Sequence, residues 1–268
     1  MKKYKMILSD FDGTLAYGED NYVSENNLHS INAFINDGGI FIVCTGRATP
    51  GILPILNRVN YKGVFASYNG AVITDLKTGE VIYRKPISNE ICLKFLKFIK
   101  TLGVNTQIYP NDKITIEKYT EYTKWYLTFN KLDANVVPSL YDFVKESGCD
   151  TPKILLIDDK EVLDKNFNAI YEFLTECNVI RATDNMVEIT LKGVTKGSAL
   201  TTLSKIYNID IQDIIAIGDA GNDIPMIKSA GLGIAMGNSA DFVKLEAKAV
   251  APRVEDDAIK YVIETYCK

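Results

Sequence analysis

Asp10 and Asp12 are one residue apart, at the end of the apolar run Met6-Ile7-Leu8 and just before Gly13-Thr14. Residues 6–8 read as a short buried strand, so both carboxylates sit at its lip. An ionised carboxylate there is costly unless a cation or several donors meet it. The two acids also repel one another across Phe11. A bound divalent metal would offset both costs, whereas a strand ending in an ordinary Asp-Gly turn would use the same residues with no chemistry. The segment alone leaves both readings open, and the rest of the chain has to separate them.

Three further places carry residue types suited to the same chemistry. Thr45-Gly46-Arg47 follows the apolar run 40–44, and its hydroxyl and unhindered N–H suit a phosphoryl oxygen. A helix cap before Ala48 and Pro50 is the plain alternative for Thr45. Lys196 stands at the start of an expected helix, where a cation opposes the macrodipole by about 0.3–1 kcal/mol. It becomes favourable if an anion binds there, and is otherwise a solvated surface lysine. The run 214–217 ends in Gly218-Asp219-Ala220-Gly221-Asn222-Asp223, which offers two carboxylates and an amide or simply a Gly-Asn loop. Other motifs fail. Leu15 stands where a calcium loop beginning at Asp10 needs its sixth-position Gly. Gly231, Gly233 and Gly237 lack the dinucleotide spacing, and there is no Walker A sequence.

The elements that must position these residues follow from the apolar pattern. Residues 6–8, 40–44, 64–66 and 214–217 read as strands buried on both faces, with helices over 24–37 and 196–207. Strands alternating with helices argue for an α/β fold with a doubly wound parallel sheet, whose ligands gather at the carboxyl ends of the strands. The stretch from about 83 to 186 differs. It is aromatic-rich around Tyr119, Tyr122, Trp125, Tyr126 and Phe129, a stripe expected to be core, with a specificity surface as the alternative. It also holds an expected strand over 153–157 and a helix over 164–176. Because the first pattern resumes afterwards, this block reads as an inserted α/β domain spanning 84–186, within a core formed by 1–83 and 187–268. Segments 71–74 and 80–83, around Lys77-Thr78-Gly79, read as a hairpin leading into it.

Composition narrows the function classes. Of 268 residues, 47% are apolar and 24% charged, the usage of an ordinary globular protein. Net charge is −4 and no basic block exceeds Lys2-Lys3, which argues against nucleic-acid binding. No apolar stretch approaches the ~20 residues of a membrane helix, and Asp10 and Asp12 interrupt any would-be signal sequence. Five scattered cysteines fit reduced thiols in a cytoplasmic protein. With one histidine, His29, expected on an exposed helix face, neither Ser-His-Asp chemistry nor histidine-ligated zinc has material to work with. No pattern encodes an oligomeric state.

Taken together, the four strand ends resemble the motifs of the haloacid dehalogenase superfamily of aspartate-nucleophile phosphotransferases. Asp10-Phe11-Asp12-Gly13-Thr14 is similar to the first motif, Thr45 to the second and Lys196 to the third. Gly218-Asp219 with Asn222-Asp223 is similar to the fourth. The resemblance runs through the whole chain in order. The insertion resembles the C2B cap of the Cof-type hydrolases, as do Ser67-Tyr68-Asn69-Gly70-Ala71 and the segment from Gly231 to Asn238. Asp257 departs from that branch, which usually has Gly there, and this could alter a loop at the edge of the site.

This resemblance implies a Rossmann-like core with an inserted cap and phosphoryl transfer through an aspartyl-phosphate. Asp10 would be the nucleophile and Asp12 the acid and base. Magnesium would be held by Asp10, the Asp12 carbonyl and Asp219, with Asp223 in support. Thr45, Gly46, Lys196 and Asn222 would bind the phosphoryl oxygens, and Arg47 either these or the leaving group. The implied activity is a magnesium-dependent phosphatase acting on small phosphorylated metabolites, sugar phosphates foremost. The cap would close as a lid, with hinges near 83–86 and 186–189. A capped phosphomutase and a non-catalytic phosphoacceptor are the alternatives.

Overall fold

A computed structural model describes residues 4–268, so Lys2 and Lys3 lie outside the described residues. The chain divides into two compact units. One comprises the chain up to Gly46, Pro54–Tyr83 and Thr195–Lys268, and the other Arg47–Leu53 and Arg84–Val194.

The first unit begins with β1 (Met6–Ser9), α1 (Glu25–Asn36), β2 (Ile40–Cys44), α2 (Thr49–Arg58, its first turn counted with the second unit) and β3 (Val64–Ser67). The hairpin β4 (Val72–Asp75) and β5 (Glu80–Arg84) follows as expected and joins the same sheet, β4 antiparallel to β3. Ser24 caps α1, its hydroxyl accepting from the Asn27 N–H at 3.1 Å. His29 is exposed on that helix.

The second unit contains α3 (Asn89–Leu102), β6 (Thr106–Ile108), β7 (Ile114–Ile116), α4 (Glu121–Asn130), β8 (Ala134–Val136) and α5 (Leu140–Ser147). It continues through β9 (Ile154–Ile157), α6 (Lys160–Phe173), β10 (Cys177–Thr183) and β11 (Met186–Leu191). Its strands form a six-stranded sheet in the order β10-β11-β9-β6-β7-β8. Phe95, Leu96, Val144, Leu163 and Ile170 of its helices pack on Ile108, Ile154, Leu156, Val187 and Ile189 of the sheet.

Two expectations are corrected here. The return to the first unit falls after Val194, not at 186/187, because β11 pairs antiparallel with both β9 and β10. Residues 186–189 are therefore the first four residues of β11, paired on both sides within the second sheet, and the expected hinge does not fall there. The aromatic stripe is not core either: Trp125 is 53% and Phe129 59% exposed, and their rings stack with each other. α4 instead buries Thr123 and Leu127.

The first unit resumes with α7 (Lys196–Tyr207), β12 (Ile214–Gly218), α8 (Ile224–Ser229), β13 (Leu232–Ala235), α9 (Asp241–Lys244), β14 (Ala249–Val250) and α10 (Ala258–Tyr266). Its eight strands run β14-β13-β12-β1-β2-β3-β4-β5, parallel from β14 to β3. Met6, Leu8, Ile42 and Ala216 pack with Leu200, Leu203 and Met226 of α7 and α8. The alternate positions Ile7, Phe41 and Val43 are equally buried, so both faces of the sheet are covered. Each such side chain contributes roughly 1.5–3 kcal/mol of burial. Asp257 takes the left-handed backbone a Gly would supply, at φ 54, and accepts from Ser24 Oγ and from Asn26 Nδ2 at 2.7 Å. The departure from glycine thus keeps its turn and ties it to the start of α1.

Candidate active site

Strand order fixes where the site lies. After β1 the chain builds β2 and β3 on one side and later returns with β12 on the other. The sheet therefore switches direction between β1 and β12, where a doubly wound sheet opens a crevice at its carboxyl ends. Asp10 follows β1 directly, its N–H donating to the Ile217 carbonyl at 2.9 Å, and Asp219 follows β12. One carboxylate oxygen each from Asp10, Asp219 and Asp223 lie within 4.8 Å of one another. Asp12 is exposed in the turn beyond Asp10, where the Gly13 N–H donates to the Ala16 carbonyl at 2.9 Å.

Lys196 enters the same cluster from α7. Thr195 and Ser198 form a reciprocal capping box that fixes the first turn of that helix. Gly197 lets α7 approach closely, since a Cβ there would stand 2.7 Å from the Pro225 carbonyl oxygen. The Lys196 ammonium is 1% exposed and donates to Asp10 Oδ1 and, at 2.6 Å, to Asp223 Oδ1. Asp223 Oδ2 accepts from the backbone N–H groups of Asp219 (3.0 Å) and Ala220 (2.9 Å). Asp223 thus organises both the lysine and its own loop.

Three carboxylates face one ammonium, two more negative charges than positive when all are ionised. Burial, then Asp223, push Asp10 well above the ordinary carboxylate range despite Lys196. Asp219 is raised for the same two reasons. Burial alone would pull the Lys196 ammonium down, but Asp10 and Asp223 together more than offset it and hold its proton above the usual lysine range. The donors are all oxygen, and the missing charge is that of one divalent cation, so this cluster fits magnesium. The neighbouring Cys44 thiol is pushed up to about 12 by burial, which leaves it no thiolate character at neutral pH.

A pH dependence follows. Raised carboxylates bind more protons folded than unfolded, so the metal-free protein loses stability as pH climbs through their elevated values. A magnesium ion at this cluster would bind the deprotonated forms. Its stabilisation is expected to be larger near pH 8 than near pH 5, reaching about 2.7 kcal/mol at a hundredfold excess over Kd. Melting curves with and without magnesium at both pH values check this; an equal shift at both would contradict it.

The second strand end joins the first. Thr45 is buried after β2, its N–H donating to the Ala66 carbonyl at 2.8 Å, and Gly46 follows. Thr45 does not cap α2, which begins at Thr49. Asn222 is exposed on the short turn Gly221–Asp223. Arg47 begins the part of the chain grouped with the second unit.

Two residues given no role from the sequence also belong here. Asn69 Oδ1 accepts from Asn222 Nδ2 at 3.1 Å, while the Asn69 N–H donates to the Thr45 carbonyl at 2.9 Å. Asn238 Nδ2 donates to the Gly13 carbonyl at 2.9 Å and its Oδ1 accepts from the Val254 N–H at 3.0 Å, pinning the turn after Asp12. Gly13 itself is required: φ is +74, and a Cβ would lie 2.5 Å from Asp219 Oδ2. The only sequence signal for Asn69 and Asn238 was the resemblance of their segments to the Cof-type branch.

Comparison with known proteins identifies the family. The model of the haloacid dehalogenase-like hydrolases matches residues 7–263. The chain is 26% identical over 273 residues to the 5-amino-6-(5-phospho-D-ribitylamino)uracil phosphatase YitU of Bacillus subtilis, covering 97% of each. It is 24% identical to a chloroplastic endoribonuclease, YBEY, of Arabidopsis thaliana, of which it spans 47%. Among solved structures, TM0651 from Thermotoga maritima superposes with a TM-score of 0.87 at 29% identity, covering 97% of both chains. The chain belongs to the haloacid dehalogenase-like hydrolase family, in the Cof-type branch that its motifs resemble.

Proposed function

We propose that this phosphoric monoester hydrolase is a magnesium-dependent phosphatase, acting on small phosphorylated metabolites through a phosphoryl group carried on Asp10. The observation that carries the reading is the cluster of three carboxylates around one buried ammonium at the β1/β12 switch point. Asp10 is the nucleophile: its oxygen bonds to phosphorus as the ester P–O bond breaks, and Asp12 protonates the departing oxygen. Asp12 then takes a proton from water, the water oxygen bonds to phosphorus, and the Asp10–phosphorus bond breaks to release inorganic phosphate. Asp10 and Asp219, with the Asp12 carbonyl, are the candidate magnesium ligands, and Asp223 supports them by holding Lys196. Bound there, magnesium supplies positive charge against the transferring phosphoryl oxygens. Lys196, Thr45, Gly46 and Asn222 supply the fixed donors for those oxygens, with Arg47 a further candidate. Sugar phosphates are the favoured substrates, supported by the relative named for a phosphorylated ribityl compound. The inserted unit is the candidate for recognising the leaving group.

Hydrolysis of para-nitrophenyl phosphate with magnesium, with EDTA and by Asp12→Asn tests this. Activity is expected only with magnesium. Asp12→Asn should keep magnesium binding while losing about 10²–10⁴-fold in rate. Full activity in EDTA would sink the metal assignment, and an Asp12→Asn variant that lost magnesium affinity alone would sink the acid–base role.

A further inference from the structure

The turn Tyr68-Asn69-Gly70 holds three consecutive residues at positive φ: 52, 57 and 98. Asn and Gly accept this region readily, whereas Tyr does so only when its surroundings over-determine it. Here they do. Tyr68 is fully buried, its carbonyl accepts from the Ala71 N–H at 3.2 Å, and Gly70 lies against α7, where a Cβ would stand 2.6 Å from Ala199 Cβ. The strained turn delivers Asn69 between two loops that come from distant parts of the chain. Its N–H holds the Thr45 carbonyl and its Oδ1 holds the Asn222 amide. Its side chain also backs Gly46 closely enough that a Cβ there would lie 3.1 Å from Oδ1.

We propose that Asn69 is a positioning residue for the phosphoryl group, which fixes the Asn222 amide and the Thr45–Gly46 backbone before a ligand arrives. This rests on the phosphatase reading above. Asn222 is exposed on a one-turn segment, and its amide would rotate freely without a partner. By accepting one N–H, Asn69 Oδ1 sets which end of that amide faces inward and leaves the second N–H for a phosphoryl oxygen. Donors fixed in advance lose no rotational freedom on binding, so the effect falls on affinity for the phosphoryl group.

Asn69→Gly is the informative variant, because glycine keeps the left-handed backbone while removing only the side chain. Inorganic phosphate binding to the full-length protein with magnesium would be measured by calorimetry, alongside KM and kcat for para-nitrophenyl phosphate. Asn69→Gly is expected to weaken phosphate binding and raise KM by about tenfold, with a smaller change in kcat. Asn222→Ala should weaken phosphate binding as well, and the double variant should lose less than the product of the two single losses, because both act through the Asn222 amide. Wild-type phosphate affinity in Asn69→Gly, or losses that multiply in the double variant, would overturn the role of Asn69 alone. A wild-type protein that neither binds phosphate nor turns over would overturn the phosphatase reading, and this one with it.

Discussion

Asp10→Asn is expected to lower turnover of a phosphate monoester by at least about 10³-fold while leaving the fold intact. The amide cannot form the bond to phosphorus, so no other group in the cluster takes its place. Asp223 pairs with Lys196, and in the proposed mechanism Asp219 faces the magnesium ion, so neither is placed to attack phosphorus. The fold should survive because Asn is nearly isosteric and Lys196 keeps Asp223 as a partner at 2.6 Å. Removing a carboxylate that burial already disfavours also lightens the negative excess of the cluster. Circular dichroism and melting temperature should therefore match wild type, while steady-state hydrolysis collapses. Activity within tenfold of wild type would refute the nucleophile assignment.

Lys196→Met is expected to have the largest effect on stability, and to remove activity with it. Among the described residues, the Lys196 ammonium is the cation that pairs with both buried carboxylates, Asp10 and Asp223. Taking it away leaves both uncompensated, a loss of about 3–5 kcal/mol for breaking a buried pair. In a chain of this size that corresponds to a fall in Tm on the order of 10 °C. Those carboxylates can relieve the cost by taking up protons, so the deficit should be widest at neutral pH and narrow on acidification. Added magnesium should narrow it too, by supplying counter-charge at the same place. A variant as stable as wild type at neutral pH would show that the buried charges are balanced in some other way.

These expectations draw on both levels of information. Four strand ends were legible from residue type and chain order, because buried strands, capping residues and Gly turns are written within a few neighbouring positions. The helix at Lys196 begins where the sequence placed it, and Thr195 and Ser198 give the reason. α6 begins at Lys160, four residues before the expected start, with Asp159 at its N-cap position making no side-chain capping hydrogen bond. The second unit's boundary was displaced because the pattern of β11, Met186–Leu191, suits a strand of either sheet. Only pairing with β9 and β10 assigns it to the second. Trp125 and Phe129 have core-like chemistry, and only the packing of α4 put Thr123 and Leu127 inside in their stead.

By itself, then, the sequence determined a doubly wound α/β core interrupted by an insertion, and the chemical types gathered at its carboxyl edge. Tertiary structure alone decided which of those groups touch. Lys196 and Asp10 are 186 positions apart, and Asn222 and Asn69 are 153 apart. Each pair meets because the strand order sets β12 beside β1, with β2 and β3 beyond it, and packs the start of α7 against the turn after β3. Local rules specify the residues that end each strand. The charge balance of the site, and the strained turn that presents Asn69, exist only once the whole sheet has closed around them.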